Sequence, residues 1–264
     1  MKIKNVLKSL AIGALVVPCA LAFTGCGKET VKIDTKMPAS ATSATTCAEA
    51  SEYFNNTAST ESISNGYRMS ISVDMDMDFG SGVVIETTSD TYGVVVFDED
   101  GNMGMSMETT GKAEGQKQKQ KTYVKDNYLY YNLNGNKIKM DISSELEGEF
   151  DMSGVLDMPS SQEMEVLFDE SLGLSYDVYQ NEGTTKFKIY GEVTDESDSS
   201  YKTTYEVYFV FENDVLTGVQ YGMVTEDDGL YISMVMAMET YEGTIEYPSL
   251  EGYVEGNFDD LFVK

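Results

Sequence analysis

Asp74, Asp76 and Asp78 stand at alternate positions, and Glu86 follows eight residues after Asp78. Carboxylates are hard oxygen donors, and a D-x-D-x-D run is how many calcium loops begin. Such a loop also needs glycine at its sixth position and glutamate at its twelfth, where this chain has Phe79 and Ile85. Calcium held by Asp74, Asp76, Asp78 and Glu86 is one reading of the pattern. The other is a solvated acidic face that keeps a broad sheet soluble and its edges unsociable. Methionines recur at the same spacing in three runs: Met69, Met75 and Met77; Met103, Met105 and Met107; Met234, Met236 and Met238. These nine are more than half of the chain's 16 methionines. Thioethers can capture copper through MxM pairs. They also make an adaptable apolar wall for a lipid or other apolar ligand, or ordinary packing against helices.

Other chemistries are missing their residues. The chain has no histidine, which removes Ser-His-Asp and Cys-His catalysis and His-ligated zinc. No phosphate-cradling glycine motif is present. With 45 Asp and Glu, pairs of acids carry no specificity for glycoside hydrolysis. The expectation is a non-enzymatic protein without a cofactor. Its formal charge of −27 repels nucleic acid and anionic lipid alike. One basic stretch runs against that balance: Lys112, Lys117, Lys119 and Lys121 in GKAEGQKQKQK. It is expected in a hairpin loop or at its rim, either simply solvated or touching an anionic headgroup or wall polymer.

The N-terminus reads as an address. Lys2, Lys4 and Lys8 precede an apolar run from Leu10 to Phe23, with no acid before Glu29. This is the pattern of a secretory signal, and the run is short for a membrane span. Phe23-Thr24-Gly25-Cys26 resembles the bacterial lipobox, with Phe23 where leucine is usual. The resemblance implies that residues 1–25 are removed and that Cys26 receives a diacylglyceryl group. The membrane is then a partner through that lipid, and the chain sits lipid-anchored on the outer face of the cytoplasmic membrane, in the cell envelope. Two acyl chains hold a protein stably where one does so marginally. Residues 26–45, rich in Ser, Thr, Ala and Lys, are expected to form a tether spanning about 25 Å if flexible. Once Cys19 is removed and Cys26 lipidated, Cys47 has no cysteine to pair with. It sits in Thr46-Cys47-Ala48-Glu49, a capping-box pattern at the start of a helix.

Periodicity supplies the elements that must position these groups. Tyr67, Met69, Ile71, Val73, Met75, Met77 and Phe79 share one side of a long half-buried strand, with Arg68, Ser70, Ser72 and the three aspartates on the other. If a short turn follows at Gly80-Ser81-Gly82, then Asp78 faces Val84, Asp76 faces Glu86 and Asp74 faces Thr88. Helices are expected over 46–59 and 161–172. Strands are expected at about 92–98, 102–110, 121–126, 128–133 and 137–142, and a second β block over 174–247. Consecutive hairpins without intervening helices argue for an antiparallel meander. A sheet of about ten strands must curl or close. The fold class is therefore mainly β (α+β): a large antiparallel curved sheet or half-barrel, with a few short helices on its concave face. The single domain would cover 46–250, followed by an acidic tail over 251–264.

A lipobox, a Ser/Thr-rich tether, one helix, a long meander, a helical insert and a second meander resemble the LolA/LppX-like lipoproteins. The closing Ile245-Glu246-Tyr247-Pro248-Ser249-Leu250 also looks like the end of small extracellular lipoproteins of that group. The resemblance implies an open half-barrel whose concave face holds acyl chains. It assigns no binding residue by motif. A packed interior, with the outer surface as the working part of a cell-envelope interaction module, is the alternative.

Overall fold

A computed structural model describes residues 30–38, 41–44, 46–57, 66–78, 84–98, 102–113, 116–142, 168, 170–195, 198–227 and 229–256. The alternating segments form thirteen strands of one sheet. In chain order these are β1 (Thr42–Ala44), β2 (Gly66–Asp78), β3 (Val84–Phe97), β4 (Met103–Ala113), β5 (Gln116–Lys125), β6 (Tyr128–Leu133), β7 (Asn136–Asp141), β8 (Ser175–Asn181), β9 (Thr184–Asp195), β10 (Asp198–Glu212), β11 (Val215–Asp227), β12 (Leu230–Thr240) and β13 (Val254–Glu255). Helix α1 spans Cys47–Thr57, and a 3-10 turn spans Glu170–Leu172. The spatial order is β1-β8-β9-β10-β11-β12-β2-β3-β4-β5-β6-β7-β13. Every pairing is antiparallel except that of the two-residue β13 with β7. The protein is thus mainly β, an open curved sheet of antiparallel strands.

Local chemistry explains the tight turns. Asp126-Asn127, Asn134-Gly135, Glu182-Gly183 and Asn213-Asp214 each have positive φ at both residues. That geometry matches the twist of the strands a two-residue hairpin must join, and Asn, Asp and Gly tolerate it best. The expected register between the first two long strands is the one observed: Asp74 opposite Thr88, Asp76 opposite Glu86 and Asp78 opposite Val84.

Helix α1 begins where the capping pattern placed it. The Thr46 hydroxyl accepts a bond from the Glu49 amide at 3.1 Å, satisfying one of the helix's orphan donors. Ala50 and Phe54, one turn apart, are 0% and 1% exposed. Phe54 sits among Phe187, Phe209 and Phe211, with ring centroids 5.1–5.7 Å away, and beside Phe168 at 5.3 Å. This contact defines the inner face of the sheet, the one that carries the helix. Burying a side chain of this size contributes about 1.5–3 kcal/mol, and each edge-to-face ring pair adds about 0.5–1.5.

Three expectations differ from the structure. Residues 30–38 and 41–44, inside the expected tether, are ordered on the sheet: Val31 is 7% exposed, and β1 pairs with the edge strand β8. Strand structure in the second block ends at Thr240 rather than near 247. From there the chain crosses the outer face, and Val254 and Glu255, expected in a tail, pair with β7. The apolar spacing that suggested a strand up to Tyr247 instead serves docking, since Tyr247 donates to the Val124 carbonyl at 2.7 Å and packs on Tyr123. The helix expected over 161–172 lies outside the described residues, apart from Phe168 and the 3-10 turn.

Candidate functional site

Register carries the methionines to a common place. Met238 lies opposite Met69, Met69 opposite Gly93, and Gly93 opposite Met107. Met236 lies opposite Ile71 and Met234 opposite Val73, while Met105 faces Val95 and Met103 faces Phe97. Following the same rows through Val219 to Phe209 shows that all nine methionines share the face that carries α1. The three runs, far apart in sequence, meet because β12 docks beside β2.

Their exposure divides the face in two. Met69, Met105, Met107, Met234 and Met238 are buried, between 1% and 7% exposed. They form a packed base with Val95, Phe187 and Phe209. Toward the tips of β2, β3 and β12, the pairs Met75–Ile232 and Met77–Leu230 are only half-buried, as are Met236, Met103 and Ile85. Gly93 shapes the base: a side chain there would meet Met107 Cγ at 2.9 Å and Met69 Cγ at 3.3 Å. The two methionines close over the space that glycine leaves.

A polar band runs beside this wall. Thr91 and Thr109 share a hydrogen bond of 2.9 Å across β3 and β4, and Thr203 and Thr225 share one of 3.1 Å across β10 and β11. Gln120 donates to the Thr122 hydroxyl at 3.0 Å, while its carbonyl oxygen is buried without a partner. The surroundings disfavour charge. Burial pushes the Tyr131 hydroxyl up to about 12 and the Tyr221 hydroxyl well above the tyrosine range. The inner face is suited to apolar and neutral groups. Cys47, at the first turn of α1, donates to the Phe168 carbonyl and accepts from the Tyr176 hydroxyl at 3.4 Å. It is tied into the packing of helix on sheet.

The acidic candidates are not brought together around a point. Asp74, Asp76 and Asp78 line the outer face about 7 Å apart from one to the next, as alternate residues of an extended strand must. Calcium ligands must converge within about 2.3–2.6 Å of one ion. Among the described residues, no three His, Cys, Asp or Glu side chains are placed to hold a metal ion. Asp76 and Glu86 stand directly opposite each other across β2 and β3.

Sequence reasoning missed two cavities, one at the strand ends and one on the outer side. One of about 680 Å³ opens between the ends of β3–β6 and the returning C-terminal segment, lined by Phe97, Met103, Lys125, Thr244 and Tyr247. A second, of about 330 Å³, is lined by Thr30, Val31, Ser72, Asp90, Glu108 and Ala237. Both depend on terminal segments folding back over the sheet, for which no local pattern exists.

No family model matches the chain, and no curated protein matches it. Solved structures similar to the chain include these two. LprF from Mycobacterium bovis shares 10% identity at a TM-score of 0.34, over 78% of this chain and 95% of that one. A DUF1329 family protein from Desulfovibrio piger shares 12% identity at a TM-score of 0.25, over 75% and 93% respectively. At these values nothing about ligand or site is carried over from either. No described helix is long and apolar enough to cross a membrane.

Proposed function

We propose that this protein is an extracytoplasmic lipoprotein, anchored through a diacylglyceryl Cys26, that binds a lipid or other apolar ligand on the methionine-lined inner face of its sheet. The observation that carries the reading is the convergence of three separate methionine runs on one face, open toward the strand tips. Unbranched, polarizable side chains can repack around acyl chains of different length, which a wall of β-branched residues would do less well. The buried base, including Met69 and Met234, holds the sheet together. The half-buried rim of Met75, Met77, Ile85, Leu230 and Ile232 meets the ligand. Binding of this kind needs no catalytic residue.

Native mass spectrometry of the chain from residue 27 onward, with lipid extraction of the same sample, tests this. A bound mass that disappears on denaturation and appears in the extract is expected. Met75→Ser with Met77→Ser should reduce uptake of offered lipid at least tenfold while leaving the folded state intact. A clean apo mass with no uptake would sink the ligand reading. It would favour the alternative, an interaction module with a filled interior, to which the five buried methionines already lend support.

A further inference from the structure

The outer face is not uniformly acidic. Residues of β4, β5 and β7 that face outward include Lys112, Lys117, Lys119, Lys121, Lys125, Lys137 and Lys139. Only two acids, Glu114 and Asp126, fall between positions 112 and 139, in a chain whose total charge is −27. The basic stretch expected in a hairpin loop or at its rim lies on β4 and β5, with Lys112 and Lys117 at the rim of their hairpin, and three further lysines join it across β5 and β7. Glu108 holds Lys119 at 2.5 Å and Lys121 at 3.0 Å, and Glu255 holds Lys139 at 3.1 Å. Among the described residues, Lys112, Lys117, Lys125 and Lys137 have no carboxylate partner. Tyrosines are interleaved. Tyr123 packs edge-on to Tyr247 and Tyr130 edge-on to Tyr253, with Lys125 over Tyr247 and Lys137 over Tyr253. Val254, beside β7, is 68% exposed.

The N-terminal segment reaches the same face. Val31 packs down on the sheet, Ile33 lies against Gly218, and Lys186 donates to the Asp34 carboxylate at 2.6 Å. Thr30 lines one cavity with Glu108, the residue that holds Lys119 and Lys121. Cys26 is four residues earlier, so it lies within about 14 Å of Thr30 even if the chain is fully extended.

We infer that the outer face of β4–β7 is a docking surface for an anionic lipid bilayer, on which the domain lies with its methionine-lined face turned outward. The inference rests on the anchoring of Cys26 proposed above. Charge complementarity and chain length both select this occupant. Lys112 and Lys117 stand opposite each other across β4 and β5. Lys125 lies about 26 Å along β5 from Lys117, and Lys137 lies in the row between them, a spread that a flat bilayer can span. Half-buried tyrosines suit the headgroup level. Each lysine brought against an anionic surface favours the docked state about fivefold. Glu108, Asp126, Asp141, Glu251 and Glu255 share the face and oppose docking at short range. Acids more than a Debye length away, about 10 Å in 0.1 M salt, oppose it only weakly. The whole-chain charge thus overstates the repulsion at this one face.

Lipidated full-length protein, reconstituted in phosphatidylcholine vesicles with or without 30% phosphatidylglycerol, tests the inference by flotation and by amine labelling read residue by residue. On anionic vesicles the labelling of Lys112, Lys117, Lys125 and Lys137 should fall at least fivefold. Lys188 and Lys202, on β9 and β10, should label equally on both. The triple variant K112E/K117E/K137E should float as before but lose the difference. Flotation with both vesicles and equal labelling would overturn the docking face and leave the anchor standing. Flotation with neither would overturn both. Flotation on anionic vesicles alone, with lysine protection, would support the docking face and refute the anchor. Protection by a soluble polyglycerol phosphate but not by anionic vesicles would overturn the bilayer in favour of a wall polymer.

Discussion

Replacing Phe54 by alanine should remove most of what holds α1 to the sheet. The ring is 1% exposed and lies within 5.1–5.7 Å of four others, three of them on β9 and β10. Truncating a buried phenylalanine costs about 3–5 kcal/mol, the lost transfer energy plus the cavity left behind. Phe187, Phe209 and Phe211 are held by hydrogen-bonded strands and cannot collapse far into that cavity. The upper half of the range is therefore expected, about 4 kcal/mol. Urea unfolding followed by circular dichroism reads the change as a lower midpoint at constant slope. Phe54→Leu should cost only about 1–2 kcal/mol, since it keeps most of the volume. A double-mutant cycle of Phe54→Leu with Phe209→Leu should show a coupling of about 0.5–1.5 kcal/mol from the ring pair. A loss under about 1.5 kcal/mol for the alanine variant, or no coupling in the cycle, would refute the packing of α1 on the inner face.

The N-terminal segment should respond to acid. Lys186, by donating to the Asp34 carboxylate, holds its pKa below the usual 3.8. A group with a depressed folded-state pKa contributes stability above its unfolded pKa and loses it as pH falls through the folded one. Amide exchange at Val31 and Ile33 should therefore quicken below about pH 4. Lys186→Met should produce the same quickening at pH 7, and unchanged exchange in both cases would count against the contact. Gly93→Ala should destabilise by about 1–2 kcal/mol, because the new methyl meets Met107 Cγ at 2.9 Å. A gain in urea midpoint would show that the two methionines move aside freely. Gln120→Met should stabilise by about 1 kcal/mol by removing a buried oxygen without a partner. A loss of stability, by the same unfolding assay, would mean that the amide does more than bond Thr122.

Period-two alternation made β2 and its register with β3 readable. Side chains can share a face in only one phase, and Gly80-Ser81-Gly82 limits where the chain can reverse. The two-residue turns were readable for a similar reason, since Asn134-Gly135 and Asn213-Asp214 tolerate positive φ where few residues do. That β12 lies beside β2 was not. The pairing of Met238 with Met69 joins residues far apart in sequence, and nothing local distinguishes β12 from any other strand as the partner. The methionine runs could therefore be assigned to one face of each strand but not gathered into one site. The lysine face escaped for the same reason, with Lys137 and Lys139 reaching Lys121 only through strand order. Residues 30–38 and 241–253 carry no strand or helix, so their docking depends on single contacts such as Lys186–Asp34 and Tyr247–Val124 that leave no periodic trace.

The seam between β12 and β2 also sets an order of events. The meander β2–β7 and the return from β8 to β12 each consist of neighbours in sequence, which form early because the loops they close are short. The seam closes the longest loop and must wait. Met69, Met75 and Met77 come from one side of it, and Met234, Met236 and Met238 from the other. If the chain is exported N-terminus first, as the anchoring proposed above requires, the methionine-lined face is incomplete until β12 has emerged. Any lipid binding on that face would then have to follow export.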